Sequence, residues 1–449
     1  MSENVTNKFE AYLAKNMKTV AFHTLGCKVN YFESEGVWAK FEIAGYERVD
    51  FTDFADVYVI NTCSVTNGGD KKSRQYIRRA VRNNPDAVIC VMGCFSQTQP
   101  EVAVGIEGVD IVLGTSGRDQ LVTLVERFLA SRQPINIVGD IAKERNFESL
   151  TVAKFENRKR GVLKIQDGCN NFCTFCIIPW ARGRIRSEDP VVVIANAKEL
   201  VANGHIELVL TGIHTGAYGE DLEDFSFAML LKELVQIEEL VRLRISSIEA
   251  TQLTDEVLAI LAGTDKIAHH LHIPIQSGAG AILKTMNRKY TLAEFETNIA
   301  RIRQALPSVS ITTDIIVGFP GETEELFQES LATVKRIGFS ELHVFPYSVR
   351  NGTPASRMEQ QVPEITKTMR VAEMIAASEQ LAEQYAATHE SQILDVIVER
   401  IKDGIATGHT SNYLKIKFPV TSDFNESLVQ VKITKTGYPE CVGEIAKKY

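Results

Sequence analysis

Long apolar runs are absent from this sequence of 449 residues, and no stretch approaches the ~20 residues that a membrane helix needs. The first sixteen residues are polar and of mixed charge, unlike a secretory signal. An excess of positive charge is also lacking, because the formal net charge is −8. We therefore expect a globular, cytoplasmic protein with no membrane contact, in which any binding of phosphate comes from local basic patches.

Cysteine is scarce, with eight residues, and in a reducing compartment these indicate metal binding or catalysis rather than disulfides. Three of them, Cys169, Cys173 and Cys176, lie within eight residues. A zinc site would usually bring a second Cys-x2-Cys pair, which is missing. His269, His270 or His272 could supply a fourth ligand, but these histidines are better explained as part of a strand. A four-iron cluster normally takes four thiolates, so this triplet would leave one iron open to another ligand.

Residues 18–139 alternate short apolar runs with amphipathic stretches, which predicts a small doubly wound parallel sheet. Cys27, Cys63 and Cys94 each follow a predicted strand, at 19–23, 56–60 and 87–92. Because the carboxyl ends of parallel strands share one edge, we expect the three thiols to meet there. Three unrelated core cysteines are the alternative. Cys90, in mid-strand, and Cys441 are interpreted as buried hydrophobic residues.

A basic run follows Cys63, with six basic residues and no acid between positions 71 and 82. At helical spacing Lys71, Arg74, Arg78 and Arg82 share one face, and Lys72 is a further candidate for binding tRNA. The run is explained either by a solvated charged face or by a contact with phosphate.

After a predicted linker at 140–160, residues 161–386 repeat a strand-then-helix unit six times, which predicts a partial (βα)6 barrel. The predicted strands are 161–166, 207–211, 242–246, 271–275, 310–317 and 341–346. In such barrels the catalytic and ligand-binding residues lie at the carboxyl ends of the strands. The polar and glycine-rich positions that follow them form a predicted ligand-binding rim, with the candidate cofactor-binding residues Gly212, Ser246, Glu249, Gln276 and Gly318.

A long amphipathic helix is predicted at 363–389, followed by five short strands within 387–449. Such a pattern suggests a small closed β-barrel of a kind that often binds oligonucleotides. Its candidate RNA contacts are Lys415, Lys417, Lys432 and Lys435.

The motifs Thr-Leu-Gly-Cys27-Lys-Val-Asn, Asn61-Thr-Cys63-Ser-Val-Thr and Met92-Gly-Cys94 resemble those of the methylthiotransferases. The spacing Cys-x3-Cys-x2-Cys resembles that of radical S-adenosylmethionine (SAM) enzymes, and the C-terminal segment resembles a TRAM domain. The resemblance implies catalysis through two 4Fe-4S clusters, which it assigns to the two cysteine triplets. The SAM cluster would lie on Cys169, Cys173 and Cys176, with Phe175 near the adenine of SAM, and the auxiliary cluster on Cys27, Cys63 and Cys94.

The stretches Cys176-Ile-Ile-Pro-Trp-Ala-Arg182-Gly-Arg184-Ile-Arg186 and Gly212-Ile-His-Thr-Gly-Ala-Tyr-Gly219 are similar to the branch that acts on threonylcarbamoyladenosine in tRNA. Transfer of a methylthio group to C2 of that base at position 37, by SAM-derived radical chemistry, is the implied reaction. The three arginines, Arg182, Arg184 and Arg186, either bind tRNA phosphate or the threonylcarbamoyl carboxylate, or form structural salt bridges.

Three other functions stay open on the sequence: the isopentenyladenosine branch, the ribosomal-protein branch, and a non-catalytic iron–sulfur electron carrier or RNA-binding scaffold. Two incomplete triplets count against a carrier, which usually brings four cysteines for each cluster. The expected partners are the tRNA anticodon stem-loop, an external electron donor and a sulfur donor that the sequence does not identify. A monomer is the default expectation.

Overall fold

The structure, a computed structural model, describes residues 18–155 and 158–448. The polar first sixteen residues and positions 156 and 157 of the predicted linker lie outside these ranges. The chain forms two compact units. The first runs to Val152 and also contains Gln166–Glu188 and Ser348–Thr353, and the second contains Ala153–Ile165, Asp189–Tyr347 and the chain from Pro354 onward.

The first unit contains a six-stranded, all-parallel sheet in the order β2-β1-β3-β4-β5-β6. Its elements are β1 (Thr19–Thr24), α1 (Lys28–Ile43), β2 (Glu47–Val49), β3 (Val57–Thr62), α2 (Asn67–Asn83), β4 (Val88–Gly93), α3 (Cys94–Thr98), α4 (Pro100–Val104), β5 (Ile111–Val112), α5 (Leu121–Ser131) and β6 (Ile135–Asn136). Alternate residues of each strand enter two separate cores, so that Val57 and Val59 pack on one face while Tyr58 and Ile60 pack on the other. Both faces are covered, as the predicted doubly wound fold requires.

The sheet places its cysteines where a ligand is expected. The strand order reverses between β1 and β3, and doubly wound folds bind ligands in the crevice beyond the carboxyl ends of strands at such a point. Cys27 and Cys63 follow these two strands, and Cys94 follows the neighbouring β4.

The next segments of the chain belong in turn to the second unit and to the first. Strand β7 (Arg160–Lys164) belongs to the second unit, whereas β8 (Gln166–Asp167), α6 (Ile178–Arg182) and β9 (Arg186–Ser187) belong to the first. Strands β8 and β9 pair antiparallel and close a loop that carries the second cysteine triplet.

The second unit contains six parallel strands in two three-stranded sheets, β11-β10-β7 and β12-β13-β14, which isolated bridges join at Leu243–Ile267 and Ser247–His272. Its elements are α7 (Pro190–Ala202), β10 (Glu207–Thr211), α8 (Phe227–Leu234), β11 (Arg242–Ile245), α9 (Asp255–Ala262), β12 (His270–His272), α10 (Gly280–Thr285), α11 (Leu292–Ala305), β13 (Ser310–Val317), α12 (Glu324–Ile337) and β14 (Glu341–Pro346). The six predicted strands are therefore present.

Helix α13 (Glu364–Ala387) leads into a closed five-stranded barrel with the strand order β15-β16-β17-β19-β18. The strands are β15 (Ile393–Lys402), β16 (Ile405–Thr410), β17 (Lys415–Pro419), β18 (Leu428–Lys435) and β19 (Cys441–Lys448). Their inward residues form one apolar core, which includes Cys441.

Two arginines on β11 attach the small barrel to the partial barrel within the second unit. Arg242 donates to two main-chain carbonyl oxygens of the small barrel, at 3.2 and 3.3 Å, and Arg244 donates to that of Thr410 at 3.1 Å. The guanidinium of Arg244 also lies over the ring of Tyr413, 4.8 Å from its centroid. Both arginines pair with Glu207, which therefore stays ionised although it is buried.

One sequence prediction of local structure needs correction. The strand predicted at 271–275 begins at His270 and ends at His272, because Pro274 has no N–H for a strand ladder. The predicted linker contains the boundary between the two units, after Val152, and its residues Leu150, Val152 and Phe155 are buried. No helix in the described part of the chain is both long and apolar enough to cross a bilayer.

Candidate functional site

The three N-terminal cysteines lie together in the first unit. Cys27 is the N-cap of α1, Cys63 follows β3, and Cys94 begins α3 directly after β4. A Cβ on Gly26 would lie 3.2 Å from Sγ of Cys63, so the turn that carries Cys27 runs against the second thiol. Cys27 and Cys63 are also close enough to raise the pKa of Cys94 through their charge.

The protonation of these thiols indicates which ligand they suit. Burial raises the pKa of Cys63, and it raises the pKa of Cys94 to about 12. Both thiols therefore keep their protons at neutral pH unless a cation replaces them, as a coordinating metal does. Three converging thiols fit an iron–sulfur cluster, whose ligands are thiolates.

Arg182 connects this group of thiols with the second cysteine segment. Its side chain is fully buried, and its Nε lies 3.4 Å from Sγ of Cys94. The same guanidinium donates to both carboxylate oxygens of Glu33, to Asp167 at 3.2 Å and to Asn30 at 2.6 Å. Burial disfavours its charge, but Cys94 and the two carboxylates outweigh this and hold the pKa of Arg182 well above its ordinary value. A permanent cation thus lies beside the Cys94 sulfur.

A second buried arginine supports the first. Arg118 Nη1 lies 2.5 Å from Glu33 and Nη2 lies 2.5 Å from Glu148, which is in the predicted linker. Glu33 is fully buried between Arg118 and Arg182, so its charge is compensated on two sides. Glu33, Arg118 and Asp167 were not predicted from the sequence, because they belong to no motif and only a buried charge pattern could have indicated them.

The second triplet lies in the loop closed by β8 and β9. Cys173 is buried, whereas Cys169 and Cys176 are half-buried. The backbone N–H of Cys169 donates to the Gly183 carbonyl, and that of Asn171 approaches Sγ of Cys169 at 3.5 Å. Only glycine fits at Gly168, because its φ is 75° and a Cβ would overlap a main-chain carbonyl. The three thiols therefore lie on a tightly constrained loop, in the same compact unit as the first triplet.

The arginines after this loop do not match the predicted tRNA contact equally well. Arg182 is buried and paired, and Arg186 is 3% exposed and donates to the main-chain carbonyls of Arg182 and Arg184 at 3.0 and 3.3 Å. Both are thus shielded from a macromolecular ligand, so the prediction of a direct tRNA contact is corrected to the salt-bridge alternative. Arg184 is exposed and remains a candidate.

Two exposed aromatic residues lie within the loop. Phe172, with φ 49°, and Trp180 are 46% and 43% exposed and form an edge-to-face pair with ring centroids 6.0 Å apart. Phe175, the predicted neighbour of the SAM adenine, is half-buried.

The predicted cofactor-binding residues of the second unit do lie just beyond strand ends. Ser246 is 3.0 Å from Thr215, and both oxygens of Glu249 accept bonds from Arg288, at 2.6 and 2.7 Å. The N–H of Gly318 donates to Glu322 at 2.7 Å, and Gly212 and Gln276 are half-buried. Arg288 was not identified from the sequence, although it neutralises the carboxylate of the rim. A role of these residues in binding SAM stays a prediction.

The predicted basic surface lies on α2. Lys71, Lys72 and Arg78 are exposed and Arg74 is half-buried, with its guanidinium 5.8 Å from the centroid of the Phe95 ring. Among the described residues, none of the four forms an ion pair with a carboxylate. Uncompensated charge of this kind favours a contact with phosphate over a solvated salt-bridge network.

The lysines of the small barrel differ in their environments. Lys415 and Lys417 pair with Glu440 at 3.4 and 2.7 Å, whereas Lys432 and Lys435 are exposed on β18. The second pair is therefore the better candidate for an RNA contact.

Arg350, in the part of the first unit that follows β14, fixes the start of α2. Its guanidinium donates to Asp70 at 2.8 Å and to Ser64 at 2.7 Å, next to Cys63. Asp70 precedes the basic run, so Arg350 neutralises the acid that would otherwise weaken the positive face. A residue so distant in sequence carries no motif that could have indicated this role.

Two family models match parts of this chain. Residues 19–114 match the uncharacterized protein family UPF0004, and residues 163–334 match the radical SAM superfamily. A solved structure of TsrM, a radical S-adenosylmethionine methyltransferase from Kitasatospora setae, superposes with a TM-score of 0.57 at 15% identity. It covers 76% of this chain and 74% of TsrM, and the likeness concerns the fold alone.

Curated relatives are similar over almost the whole chain. The threonylcarbamoyladenosine tRNA methylthiotransferase MtaB of Bacillus subtilis (strain 168) is 55% identical over 96% of this chain and 97% of its own length. MtaB of Aquifex aeolicus (strain VF5) is 41% identical over 89% and 96%. A tRNA-2-methylthio-N(6)-dimethylallyladenosine synthase of Clostridium novyi (strain NT) is 36% identical over 94% and 95%. The chain therefore belongs to the family of radical SAM tRNA methylthiotransferases that includes the MtaB proteins.

Proposed function

We propose that this chain transfers a methylthio group to C2 of N6-threonylcarbamoyladenosine at position 37 of tRNA. The observation that carries the proposal is the contact between Arg182, in the segment of the second cysteine triplet, and Cys94 of the first. Two triplets, each short of one ligand for a four-iron cluster, thus belong to one structural unit. The higher identity to the MtaB proteins than to the dimethylallyladenosine synthase favours the threonylcarbamoyl substrate.

The chemistry needs cofactors, because the adenine C2–H is not acidic and has no leaving group for acid–base or nucleophilic side chains. When bound, SAM and two 4Fe-4S clusters would supply a radical and a site for the transferred sulfur. The residues of this chain hold and tune these groups. Cys169, Cys173 and Cys176 would carry the SAM cluster, and Cys27, Cys63 and Cys94 the auxiliary one.

Arg182 has a defined part in this arrangement. A cation 3.4 Å from the Cys94 sulfur stabilises its thiolate, which is the form that binds iron. Glu33 and Asp167 fix the orientation of the guanidinium, so that a donor points at the sulfur without any rearrangement. Arg182 is therefore a positioning residue for the auxiliary cluster.

Binding of tRNA would use the exposed basic face of α2 and the lysines of β18. The target base lies in a loop, where extruding it from its stack costs on the order of a few kcal/mol. Phe172 and Trp180 could then offer apolar faces to nucleobases beside the cysteine loop.

Single cysteine variants test the two cluster assignments separately. Cys173→Ala should abolish formation of 5'-deoxyadenosine from SAM in the anaerobically reconstituted enzyme. Cys63→Ala should retain SAM cleavage but give no methylthio product. Cys90→Ala is the matched control, since Cys90 lies in the core of the same sheet. If Cys63→Ala methylthiolates tRNA at the rate of the control, the auxiliary cluster is wrongly assigned.

The substrate is tested by nucleoside mass spectrometry of tRNA. Cells that lack this protein should lose the methylthio derivative of threonylcarbamoyladenosine and keep that of isopentenyladenosine. The opposite loss would identify the dimethylallyl branch. Reversible reduction of the clusters with no SAM cleavage in the wild type would instead identify an electron carrier.

A further inference from the structure

Apart from the two cysteine triplets, three side chains of the types that bind metals lie close together in the partial barrel of the second unit. His272 ends β12, Asp314 lies in the middle of β13 and His343 lies on β14. One nitrogen of each histidine and a carboxylate oxygen of Asp314 all lie within 4.8 Å of one another. From the geometry of this group we propose a site for one divalent transition-metal ion of the Zn²⁺ type, bound by two imidazoles and one carboxylate.

The sheet fixes the three side chains in a common orientation. Asp314 and His343 are register partners on neighbouring parallel strands, and His272 is the partner of Thr312, two residues before Asp314. Because side chains alternate along a strand, His272, Thr312, Asp314 and His343 all face the same side. Three ligands on adjacent hydrogen-bonded strands are preorganised, so metal binding needs little ordering of the chain.

Both imidazoles point at the same carboxylate oxygen. Nε2 of His272 and Nδ1 of His343 lie 3.3 and 3.4 Å from Oδ1 of Asp314, and the two rings are nearly parallel with centroids 5.1 Å apart. The group therefore offers one carboxylate oxygen and two imidazole nitrogens, a donor set that suits Zn²⁺ better than Mg²⁺.

A second layer of contacts orients the first histidine. Nδ1 of His272 lies 2.9 Å from the Thr312 hydroxyl, so Nδ1 can donate a proton to that oxygen and leave the Nε2 lone pair for a metal. The same hydroxyl lies 3.0 Å from Nε2 of His270, whose ring stacks on Tyr413 at 4.5 Å. Metal-binding histidines usually have such a partner on the other ring nitrogen.

The proposed metal site is accessible from a cavity and is separate from the predicted ligand-binding rim. A cavity of about 270 Å³ is lined by Thr312 and His343 on one side and by Tyr385 and Tyr413 on the other, and 48% of the His343 side chain is exposed. Asp314 lies four residues before Gly318, which corresponds to roughly 13 Å along the strand. Three protein ligands leave a fourth position for water or a small oxygen ligand from this cavity.

The test is zinc binding by the anaerobic holoprotein, with its iron–sulfur clusters in place. Titration calorimetry with Zn²⁺, and zinc and iron analysis after desalting, should give one zinc per chain without loss of iron. Mg²⁺ should give no binding heat. X-ray absorption at the zinc edge should show nitrogen and oxygen ligands alone.

Four variants make the assignment specific. Asp314→Ala and His343→Gln should weaken zinc binding by more than 100-fold, and Thr312→Val should weaken it by about 10–100-fold. His343→Gln replaces a half-exposed side chain and should leave folding intact even if Asp314→Ala does not. His269→Ala, one residue before β12, is the matched control and should bind like the wild type. Three results would each overturn the proposal: sulfur among the zinc ligands, no bound zinc, or a zinc affinity of His343→Gln equal to that of the wild type. After either of the last two, His272, Asp314 and His343 would be explained as a hydrogen-bonded group without a metal.

Discussion

Replacing Arg182 with methionine tests whether the buried cation supports both the fold and the auxiliary cluster. Methionine keeps most of the side-chain volume but removes the charge. In the variant Glu33 still has Arg118 at 2.5 Å, whereas Asp167 is left with Arg186 at 3.9 Å. Removing one partner of a buried ion pair costs about 3–5 kcal/mol, and because Glu33 stays paired we expect the lower value, about 3 kcal/mol.

The second effect of this change is on Cys94. Burial raises the pKa of that thiol, and Arg182 is the strongest group that opposes it. Without the cation the pKa rises further, and each added unit costs about 1.4 kcal/mol in forming the thiolate that iron requires. We therefore expect iron content to fall toward that of a single cluster, while cleavage of SAM continues.

Urea unfolding of the reconstituted protein, iron analysis and release of 5'-deoxyadenosine measure these effects. Arg186→Met is the control, because it also removes a buried cation close to Asp167 but leaves Arg182 beside Cys94. If Arg182→Met unfolds at the urea concentration of the wild type and keeps all its iron, the reasoning about the buried cation is refuted.

Three further predictions concern other parts of the chain. Burial, with a smaller effect of Arg79, lowers the pKa of His23 from its ordinary 6.5 to about 4, so the unfolded chain binds more protons and stability should fall as pH decreases from 6.5 to 4; His23→Phe should flatten that slope in urea unfolding. Gly408→Ala places a Cβ against the Ile397 carbonyl and should cost about 1–3 kcal/mol in the same assay, whereas Gly437→Ala has room and should be neutral. The double variant Lys71→Glu/Arg78→Glu should weaken tRNA binding. It should also lower the slope of the log binding constant against log salt concentration by roughly 2. An unaltered slope would show that the basic face of α2 is only solvated and does not contact phosphate.

Much of the architecture could be predicted because it depends on local patterns. Buried parallel strands appear as short apolar runs, so the positions of β1, β3, β4 and the six strands of the partial barrel followed from the sequence. The edge strands β2 and β6 were missed, since they contain two or three residues and are not apolar runs. The convergence of the N-terminal thiols was predictable because parallel strands share an edge.

The electrostatic part of the site could not be predicted in this way. Arg182 contacts Glu33 across 149 positions and Arg350 contacts Asp70 across 280, and no local pattern reports such pairs. Spacing within the sequence placed Arg182 with Arg184 and Arg186 as one basic group. The turn at Gly183 separates them, so that Arg182 enters the interior and Arg184 reaches the surface.

The attachment of the small barrel has a consequence for how this protein could diversify. The hydrogen bonds by which Arg242 and Arg244 hold that barrel end on carbonyl oxygens, which every amino acid possesses. Substitutions on the outer face of the small barrel can therefore accumulate without removing these hydrogen bonds. A protein built in this way could change the surface of the small barrel by exchanging side chains, while the cysteine-bearing unit stays unaltered.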